Sequence, residues 1–251
     1  MLPADDAASL ALFYHMNSEP WLNLEAYAEA APDATRRYGK DLGGQVQLPR
    51  ATSESPLVQA LRSRRSCRSF ETRQMPMADL ALVLENAYGV TGYVEAPGGL
   101  LAYARPVPSA GALYPLEIYA ATQCVDELAD GVYRYDVIDH AFEPLSPEPL
   151  IRQLSGLLLG QDFLGTANAI LFLVAVFDRT LRKYGPRGYR YMLLEAGHVA
   201  QNVCLLATQR QLGTLCLGGY YDARLNRHLG LQDRTEAVLY AIALGYPQAA
   251  L

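Results

Sequence analysis

The sequence predicts an α+β protein, in which the strands of one central sheet alternate with long helices. Residues 169–177 form a continuous apolar run of strand length, which is typical of a central strand covered on both faces. Residues 235–244 predict a second core strand. Residues 190–212 lie between them and are rich in alanine, leucine and small residues, so this helix should be buried on several sides. A dimer axis would supply part of that cover.

Composition and charge exclude several classes of protein. Of the 251 residues, 51% are hydrophobic and 19% are charged, which argues against disorder. The net charge of -5 argues against general affinity for nucleic acid or anionic membranes. Four cysteines without metal-ligand spacing predict neither a disulfide framework nor a metal site. Because there is no signal segment and no apolar run of about 18 residues, we expect a cytoplasmic protein.

The chain is expected to divide at about residue 54. Residues 1–54 are predicted to be an irregular extension, a candidate docking or dimer arm, with short helices at 9–15 and 22–30 and a loop at 36–49. Residues 55–251 are predicted to form one domain. That domain opens with Ser55 as the N-cap of a helix and Pro56 as its first residue.

Further elements follow in order. The patterns predict a helix at Met77–Tyr88, a glycine-rich loop at 89–103, and a strand at Leu116–Thr122. A hairpin is expected from Gly131–Asp136 and 140–145, and then a helix at 150–159. A polar segment at 178–191 separates the apolar strand from the long helix.

Segment 64–70 is basic and places a hydroxyl group between arginines. Arginine forks and a short hydroxyl donor suit a phosphate group. The candidate residues are Arg64, Arg65, Ser66 and Arg68. A solvated basic turn is the alternative interpretation.

Segment 105–117 contains three prolines and a Ser-Ala-Gly turn. Proline fixes φ, and glycine permits close approach of the backbone, so the loop should be stiff and able to lie against a flat ligand. A rigid strut between subunits is the alternative. Tyr114 and Glu117 are expected to anchor this loop. On the long helix, Glu195, His198 and Asn202 share a face, where internal hydrogen bonds are at least as plausible as ligand contacts.

The ordered set of these segments resembles the nitroreductase-like flavoproteins. Besides the arginine cluster and the proline loop, it includes Lys183-Tyr184-Gly185 and Glu195-Ala196-Gly197-His198. Within that group it is similar to the SagB-type azoline dehydrogenases of thiazole and oxazole peptide biosynthesis. The resemblance spans about residues 55–247. It implies a nitroreductase-like fold with a mostly antiparallel sheet flanked by helices, an intertwined homodimer, and FMN as the cofactor.

The resemblance also implies roles for single residues. Those implied to hold the FMN phosphate and ribityl chain are Arg64, Arg65, Ser66 and Arg68. Those implied to lie along the isoalloxazine ring, often from the partner subunit, are Pro108, Ser109, Ala110 and Gly111. Those implied to offer a backbone donor to flavin N5 are Gly218 and Gly219, for which a plain turn is the alternative.

Lys183 and Tyr184 match an adjacent pair that is associated with catalysis in azoline dehydrogenases. Aromatising an azoline requires loss of a carbon-bound proton together with hydride transfer. Lys183 is the candidate base, with a pKa lowered by burial and by nearby arginines, and Tyr184 would orient it. A surface pair without a catalytic role is the alternative.

The sequence thus predicts an FMN enzyme that oxidises a thiazoline or oxazoline, peptide-bound or carrier-bound, to the azole, with O2 reoxidising the flavin. The substrate could be handled within a synthetase complex. An NAD(P)H-dependent reductase of nitro, quinone or enone compounds is the alternative, and a flavin-less structural subunit is a third. Many nitroreductases close the phosphate site with basic residues near the C-terminus, whereas residues 245–251 contain none. Arg210 and Arg224 are the candidates for that contact.

Overall fold

The computed structural model of the protein describes residues 11–16, 18, 46–50, 52, 54–96, 99–146, 151–154, 156–159, 161–232 and 234–248. The helix expected at 22–30 and most of the loop expected at 36–49 lie outside these residues. Residues 11–16 are helical, in agreement with part of the first short helix. His15 on this turn of helix is buried, and its Nδ1 lies 2.8 Å from the Tyr189 hydroxyl oxygen. The extension therefore contacts the main domain.

Six α-helices are present in the described part of the main domain. They are α1 (Pro56–Ser63), α2 (Met77–Tyr88), α3 (Ile151–Leu154), α4 (Phe177–Tyr184), α5 (Arg187–Gln209) and α6 (Asp222–His228). Ser55 caps α1 as expected, because its side chain accepts a hydrogen bond from the Val58 amide. The helix expected at 150–159 is shorter than predicted, since only α3 is helical and residues 156–159 form a turn.

Eight strands are present among the described residues. They are β1 (Gly92–Ala96), β2 (Leu100–Ala104), β3 (Leu116–Thr122), β4 (Gly131–Asp136), β5 (Ala141–Ser146), β6 (Ala169–Val176), β7 (Gly213–Leu217) and β8 (Glu236–Gly245). Six of them form a sheet in the order β5-β4-β3-β6-β8-β7, and every neighbouring pair is antiparallel. The predicted α+β class with an antiparallel sheet is confirmed.

The central strand β6 is covered on both faces, as its sequence predicts. Leu171 and Leu173 pack into one core with α2 and α5. Ile170 and Phe172 point to the other face and pack into a second core with α3 and α6. This period-two division explains why the strand is apolar throughout.

One expectation for the connecting segments is wrong, and a second segment has a helix for which no structure was predicted. The glycine-rich loop expected at 89–103 contains an antiparallel hairpin, in which β1 pairs with β2. The polar segment 178–191 is helical over most of its length, as α4 and the first turn of α5. Within α4, Phe177 and Thr180 are buried, whereas Asp178, Arg179, Arg182 and Lys183 are exposed.

Within the described part of the chain, no helix is long and apolar enough to span a membrane.

Candidate functional site

A groove of about 860 Å³ lies where the turn after α1 meets the start of β7. We call it the arginine groove, and its lining residues are Ser63, Arg65, Ser66, Cys67, Arg68, Ser69, Thr208, Gln211, Leu212, Gly213, Pro247 and Gln248. The basic turn is fixed by main-chain pairing. Ser66 forms a parallel bridge with Thr214, and the Cys67 amide donates to the Thr214 carbonyl at 2.8 Å.

The groove presents donors that suit an anion. Arg68 is exposed and its guanidinium has no partner within the described residues, so it is available to a phosphate. Arg65 also lines the groove, although its Nη1 donates to the carbonyls of Arg62 and Arg64, both at 2.8 Å. The Ser66 hydroxyl adds a short donor on the same wall, whereas the Ser69 hydroxyl donates to Gln248. This donor set fits the phosphate and polyol chain of FMN.

Three of the arginines considered for this site do not line the groove. Arg64 does not line the groove, and its charge acts instead on the thiols of Cys204 and Cys216. Arg210 is not a free phosphate ligand, because its Nε donates to the Asp79 carboxylate at 2.8 Å. Arg224 likewise does not line the groove, and its guanidinium lies over the Tyr221 ring.

Glycines on β7 make room along this wall. A Cβ atom at Gly213 would lie 2.7 Å from the Cys67 sulfur, so only glycine permits the close approach of the two segments. Gly218 and Gly219 follow the last residue of β7. Gly218 lies four residues beyond Thr214, which is about 13 Å along a strand and on the same face. The glycine pair thus lies beyond the far end of the strand whose start pairs with the arginine turn.

The proline loop is held by a network of partly buried polar contacts. The Tyr114 amide donates to the Ser109 hydroxyl at 3.0 Å, and the Arg105 amide donates to the Tyr114 hydroxyl at 3.2 Å. The Arg105 guanidinium lies over the rings of Tyr88 and Tyr114, 4.4 and 4.8 Å from their centroids. Tyr114 therefore anchors the loop, as expected from the sequence.

Glu195 on α5 ties this loop to the helix. Its carboxylate is 2% exposed, accepts a hydrogen bond from the Tyr88 hydroxyl at 2.8 Å, and is also bonded by the Ser109 side chain. Burial raises the pKa of Glu195, while these two donors and the Arg105 charge oppose the rise. Glu195 and Asn202 thus make internal hydrogen bonds, the latter to the Ala87 carbonyl at 3.3 Å, whereas His198 on the same helix is exposed.

Glu117, also expected to anchor the loop, pairs with two arginines outside it. Its carboxylate pairs with Arg179 on α4 at 2.5 Å and lies 3.8 Å from Arg134 on β4. Arg179 also donates to the Tyr114 carbonyl at 3.2 Å. Glu117 therefore fixes α4 against the loop rather than holding the loop directly.

Gly111, at the tip of the loop, lies against the Lys183-Tyr184 pair. A Cβ atom at Gly111 would lie 2.7 Å from both Lys183 Nζ and the Tyr184 hydroxyl oxygen. The two polar atoms are consequently separated by at most twice that distance. The φ of Gly111 is +65°, a left-handed conformation that favours glycine. We call Gly111, Lys183 and Tyr184, with the loop 105–114, the loop–lysine cluster.

Lys183 is more open than expected. It is exposed in the single chain and lines a cavity of about 470 Å³ with Leu113, Asp178, Arg179 and Arg182. The burial expected to activate this lysine is therefore not supplied by its own chain. Tyr184 is steadied by an edge-on contact with Tyr191, with ring centroids 5.1 Å apart.

The arginine groove and the loop–lysine cluster do not meet within one chain. They share no lining residue. Glu195, which holds the loop, and Thr208, which lines the groove, are thirteen residues apart on α5. On a regular helix that is about 20 Å along the axis, with the two side chains about 140° apart around it. The structure thus unites Lys183, Tyr184 and Gly111, but not these residues with Arg65, Ser66 and Arg68.

Some groove residues were not anticipated from the sequence. Thr208, Gln211 and Gln248 line the groove from segments about 140 to 180 residues away from the arginine turn. Gln248 accepts a hydrogen bond from the Ser69 hydroxyl. The groove is thus lined here by an amide side chain rather than by the basic residues that many nitroreductases have near the C-terminus. No local signal marks these residues, because long-range pairings bring them to the turn. Ser66 pairs with Thr214, and Phe70 pairs with Pro247.

Comparison with known proteins agrees with this architecture. The model of the nitroreductase family matches residues 61–246. A protein of Methanocaldococcus jannaschii provisionally named a nitroreductase, MJ1384, is 37% identical over 192 residues, which cover 75% of this chain and 91% of that protein. The Escherichia coli microcin B17-processing protein McbC is 34% identical over 142 residues, covering 54% of this chain and 52% of McbC.

A solved structure extends the likeness to nearly the whole chain. A chain of the E. coli microcin synthetase McbBCD complex, with truncated pro-MccB17 bound, superposes with a TM-score of 0.74. The superposition covers 98% of this chain and 94% of that chain at 24% sequence identity, so it shows a shared fold. The protein belongs to the nitroreductase family, whose members are oxidoreductases that generally bind FMN.

Proposed function

We propose that the protein is an FMN-dependent oxidase that converts a thiazoline or oxazoline, carried on a peptide or a carrier protein, to the azole. The observation that carries this proposal is the contact of Gly111 with Lys183 Nζ and the Tyr184 hydroxyl. A reductase that takes hydride from a nicotinamide needs no substrate base. A lysine and a tyrosine placed together beside an open cavity are better explained by proton abstraction.

The residues of this chain would divide the work as follows. Arg65, Ser66 and Arg68 would bind the FMN phosphate and ribityl chain. FMN, when bound, supplies the hydride acceptor and passes the electrons to O2. Lys183 Nζ would take the proton from the azoline ring carbon, and the Tyr184 hydroxyl would orient the ammonium group that results.

The loop and the two glycines would position the ring system. The residues assigned to lie along it are Pro108, Ser109, Ala110 and Gly111. Gly218 and Gly219 would present a backbone N–H to flavin N5, where a side chain would block the approach. A backbone N–H that the surrounding fold already holds in position can stabilise the charge that develops on the flavin ring without having to reorganise.

We further propose a homodimer in which the loop–lysine cluster of each chain completes the arginine groove of its partner. The separation of the two regions along α5 supports this arrangement. Leu193 and Leu194 on α5 are 40% and 56% exposed, and a second copy would cover them. The partner would also bury Lys183, which its own chain leaves exposed.

Residues 55–251 would then be the FMN-binding domain of a cytoplasmic enzyme, and residues 1–54 a docking or dimer arm. The packing of His15 on Tyr189 supports the idea that this arm lies beside the start of α5. The likeness to McbC and to a chain of the McbBCD complex supports a peptide substrate handled within a synthetase complex.

A second candidate is an NAD(P)H-dependent reductase of nitro, quinone or enone compounds. It is favoured by the 37% identity to MJ1384, of which this chain covers 91%. A flavin-less structural subunit is the third possibility. It is disfavoured because Arg68, whose guanidinium has no partner within the described residues, lies in a groove with further hydrogen-bond donors that suit an anion.

Replacing Lys183 with alanine separates the candidates. Azole formation from a thiazoline-containing peptide should fall about 10²–10⁴-fold, because positioned acid–base groups contribute on that order. FMN content and dimer mass should be unchanged. Arg227→Ala is the control, since this exposed residue on α6 lines neither the cavity beside Lys183 nor the arginine groove, so its azole formation should stay near that of the wild type.

Two results would overturn the oxidase proposal. One is a Lys183→Ala variant that oxidises the thiazoline peptide at the wild-type rate. The other is a bound flavin that is reduced anaerobically by NADPH but never by the thiazoline peptide. Either result would favour the reductase instead.

A further inference from the structure

Two cysteines face each other where α5 packs on β7. The sulfur atoms of Cys204 on α5 and Cys216 on β7 are 3.6 Å apart. Cys204 is 5% exposed, and Cys216 is half-buried. A disulfide bond is about 2.05 Å long, so the pair consists of free thiols that need to approach by only about 1.5 Å to be joined.

The surroundings favour a reactive thiol over an inert one. The hydrogen bond from Cys216 is the main reason that the pKa of Cys204 is lowered to about 6, and the Thr214 side chain and the Arg64 charge act in the same direction. Burial opposes them. The Tyr240 side chain is hydrogen-bonded to Cys216 on its other side. A thiolate beside a second thiol is the arrangement in which one cysteine attacks and the other resolves.

The other two cysteines are placed differently. Cys67 contacts Gly213, which is three residues and therefore about 10 Å along β7 from Cys216. Its thiol donates to the Ser69 carbonyl at 3.1 Å. Cys124 is exposed, with its amide bonded to Asp130. Cys204 and Cys216 are thus the pair set for an intramolecular bond.

We propose that Cys204 and Cys216 form a reversible dithiol–disulfide couple, oxidised by hydroperoxides, whose state alters the FMN affinity of the arginine groove. The Cys204 thiolate would attack hydrogen peroxide, breaking the O–O bond, leaving a sulfenic acid and releasing one water after protonation. The Cys216 thiol would then displace the second water and close the S–S bond. Two thiols lose two protons and two electrons, and one peroxide becomes two waters.

The link to the groove follows from which residues the bond would enclose. The segment from Cys204 to Cys216 contains four groove-lining residues, Thr208, Gln211, Leu212 and Gly213. Drawing the two sulfurs together shifts α5 against β7 and so moves this wall of the groove. This link rests on the proposed function, under which the groove holds FMN and its reoxidation by O2 also generates hydrogen peroxide beside the pair. The oxidation chemistry of the two thiols does not depend on it.

Thiol mapping tests the couple. In a Cys67→Ser/Cys124→Ser background only the pair can react. After treatment with hydrogen peroxide, denaturation and N-ethylmaleimide labelling, the intact chain should carry neither label. Its mass should lie about 2 Da below that of the unlabelled dithiol chain, as expected for one disulfide. Dithiothreitol should restore both labels. In the same background, Cys216→Ala should give no disulfide within the chain. Retention of both labels, or sulfinic acid in place of the disulfide, would overturn the proposal.

FMN titration tests the coupling. Flavin-stripped protein of the same background, reduced or peroxide-treated, is titrated with FMN by fluorescence quenching. We expect dissociation constants that differ at least about threefold, about 0.7 kcal/mol, and no difference after peroxide treatment of Cys204→Ala. Equal constants despite a mapped disulfide would overturn the link to the groove. Absence of FMN binding in both forms, and also in the wild-type chain with its groove-lining Cys67, would instead contradict the proposed function, while the thiol mapping would be decided separately.

Discussion

The arginine groove presents its donors to solvent, whereas the loop–lysine cluster is held from behind by buried partners. Arg68 and Ser66 are exposed and are placed by main-chain pairing with β7. Gly111 and Lys183 are exposed too, but the loop beneath them is fixed by Glu195 and Tyr88, both buried. The groove is therefore expected to lose ligand affinity when altered, and the cluster's support is expected to lose stability.

Arg68→Ala should have the larger effect and act on binding alone. Loss of one charge-assisted phosphate contact costs about 1.5–3 kcal/mol, which is about ten- to a hundredfold in the FMN dissociation constant. Fluorescence titration measures it. Arg224→Ala is the control, because Arg224 does not line the groove and should leave the constant unchanged. If both variants bound FMN as the wild type does, the groove would not be the phosphate site.

Tyr88→Phe should act on stability instead. Removing the hydroxyl withdraws a donor from the buried Glu195 carboxylate, at a cost of about 1–3 kcal/mol in the free energy of unfolding. Urea denaturation at fixed protein concentration checks this, with Tyr93→Phe as the exposed control, expected within about 0.5 kcal/mol of the wild type. A change in FMN affinity without a loss of stability would erase the distinction between the two regions.

The smallest effect is a pH dependence of stability. Because burial raises the pKa of Glu195 in the folded protein above its usual value, the unfolded chain releases this proton at lower pH than the folded one. The free energy of unfolding of the wild type, relative to that of Glu195→Gln, is thus largest at about pH 4. It should decline as pH rises through the folded pKa and then become level. A difference that grows with pH would show that the Tyr88, Ser109 and Arg105 contacts outweigh burial.

Much of the fold follows from local pattern. The helix Met77–Tyr88 and the strand Leu116–Thr122 have the predicted bounds, and the apolar run at 169–177 is the central strand β6. Helix α4 was missed although its sequence carries the signal, since Phe177, Thr180, Leu181 and Tyr184 follow helical spacing. The hairpin of β1 and β2 was missed because its glycines obscure the strands.

The site divides in the same way. The arginine turn and the Lys183-Tyr184 pair are each contiguous and could be found from the sequence. The contact of Gly111 with Lys183 joins residues seventy-two positions apart, and the role of Gln248 depends on the pairing of Phe70 with Pro247. Only the assembled sheet determines such contacts. The commitment of Arg210 to Asp79 likewise depends on the packing of α2 against the end of α5.

Complementation between two defective chains tests most directly whether one chain's arginine groove works with its partner's Lys183. Chains carrying Arg68→Ala and Lys183→Ala, with different affinity tags, are combined and the mixed dimer is isolated. Thiazoline oxidation is measured at an FMN concentration that saturates only the wild-type groove. In a shared site, one of the two sites of the mixed dimer is fully intact and the other carries both defects. We therefore predict about half of the wild-type activity per dimer. Activity no higher than that of either parent variant would contradict the account, because it would place both residues in a site built from one chain.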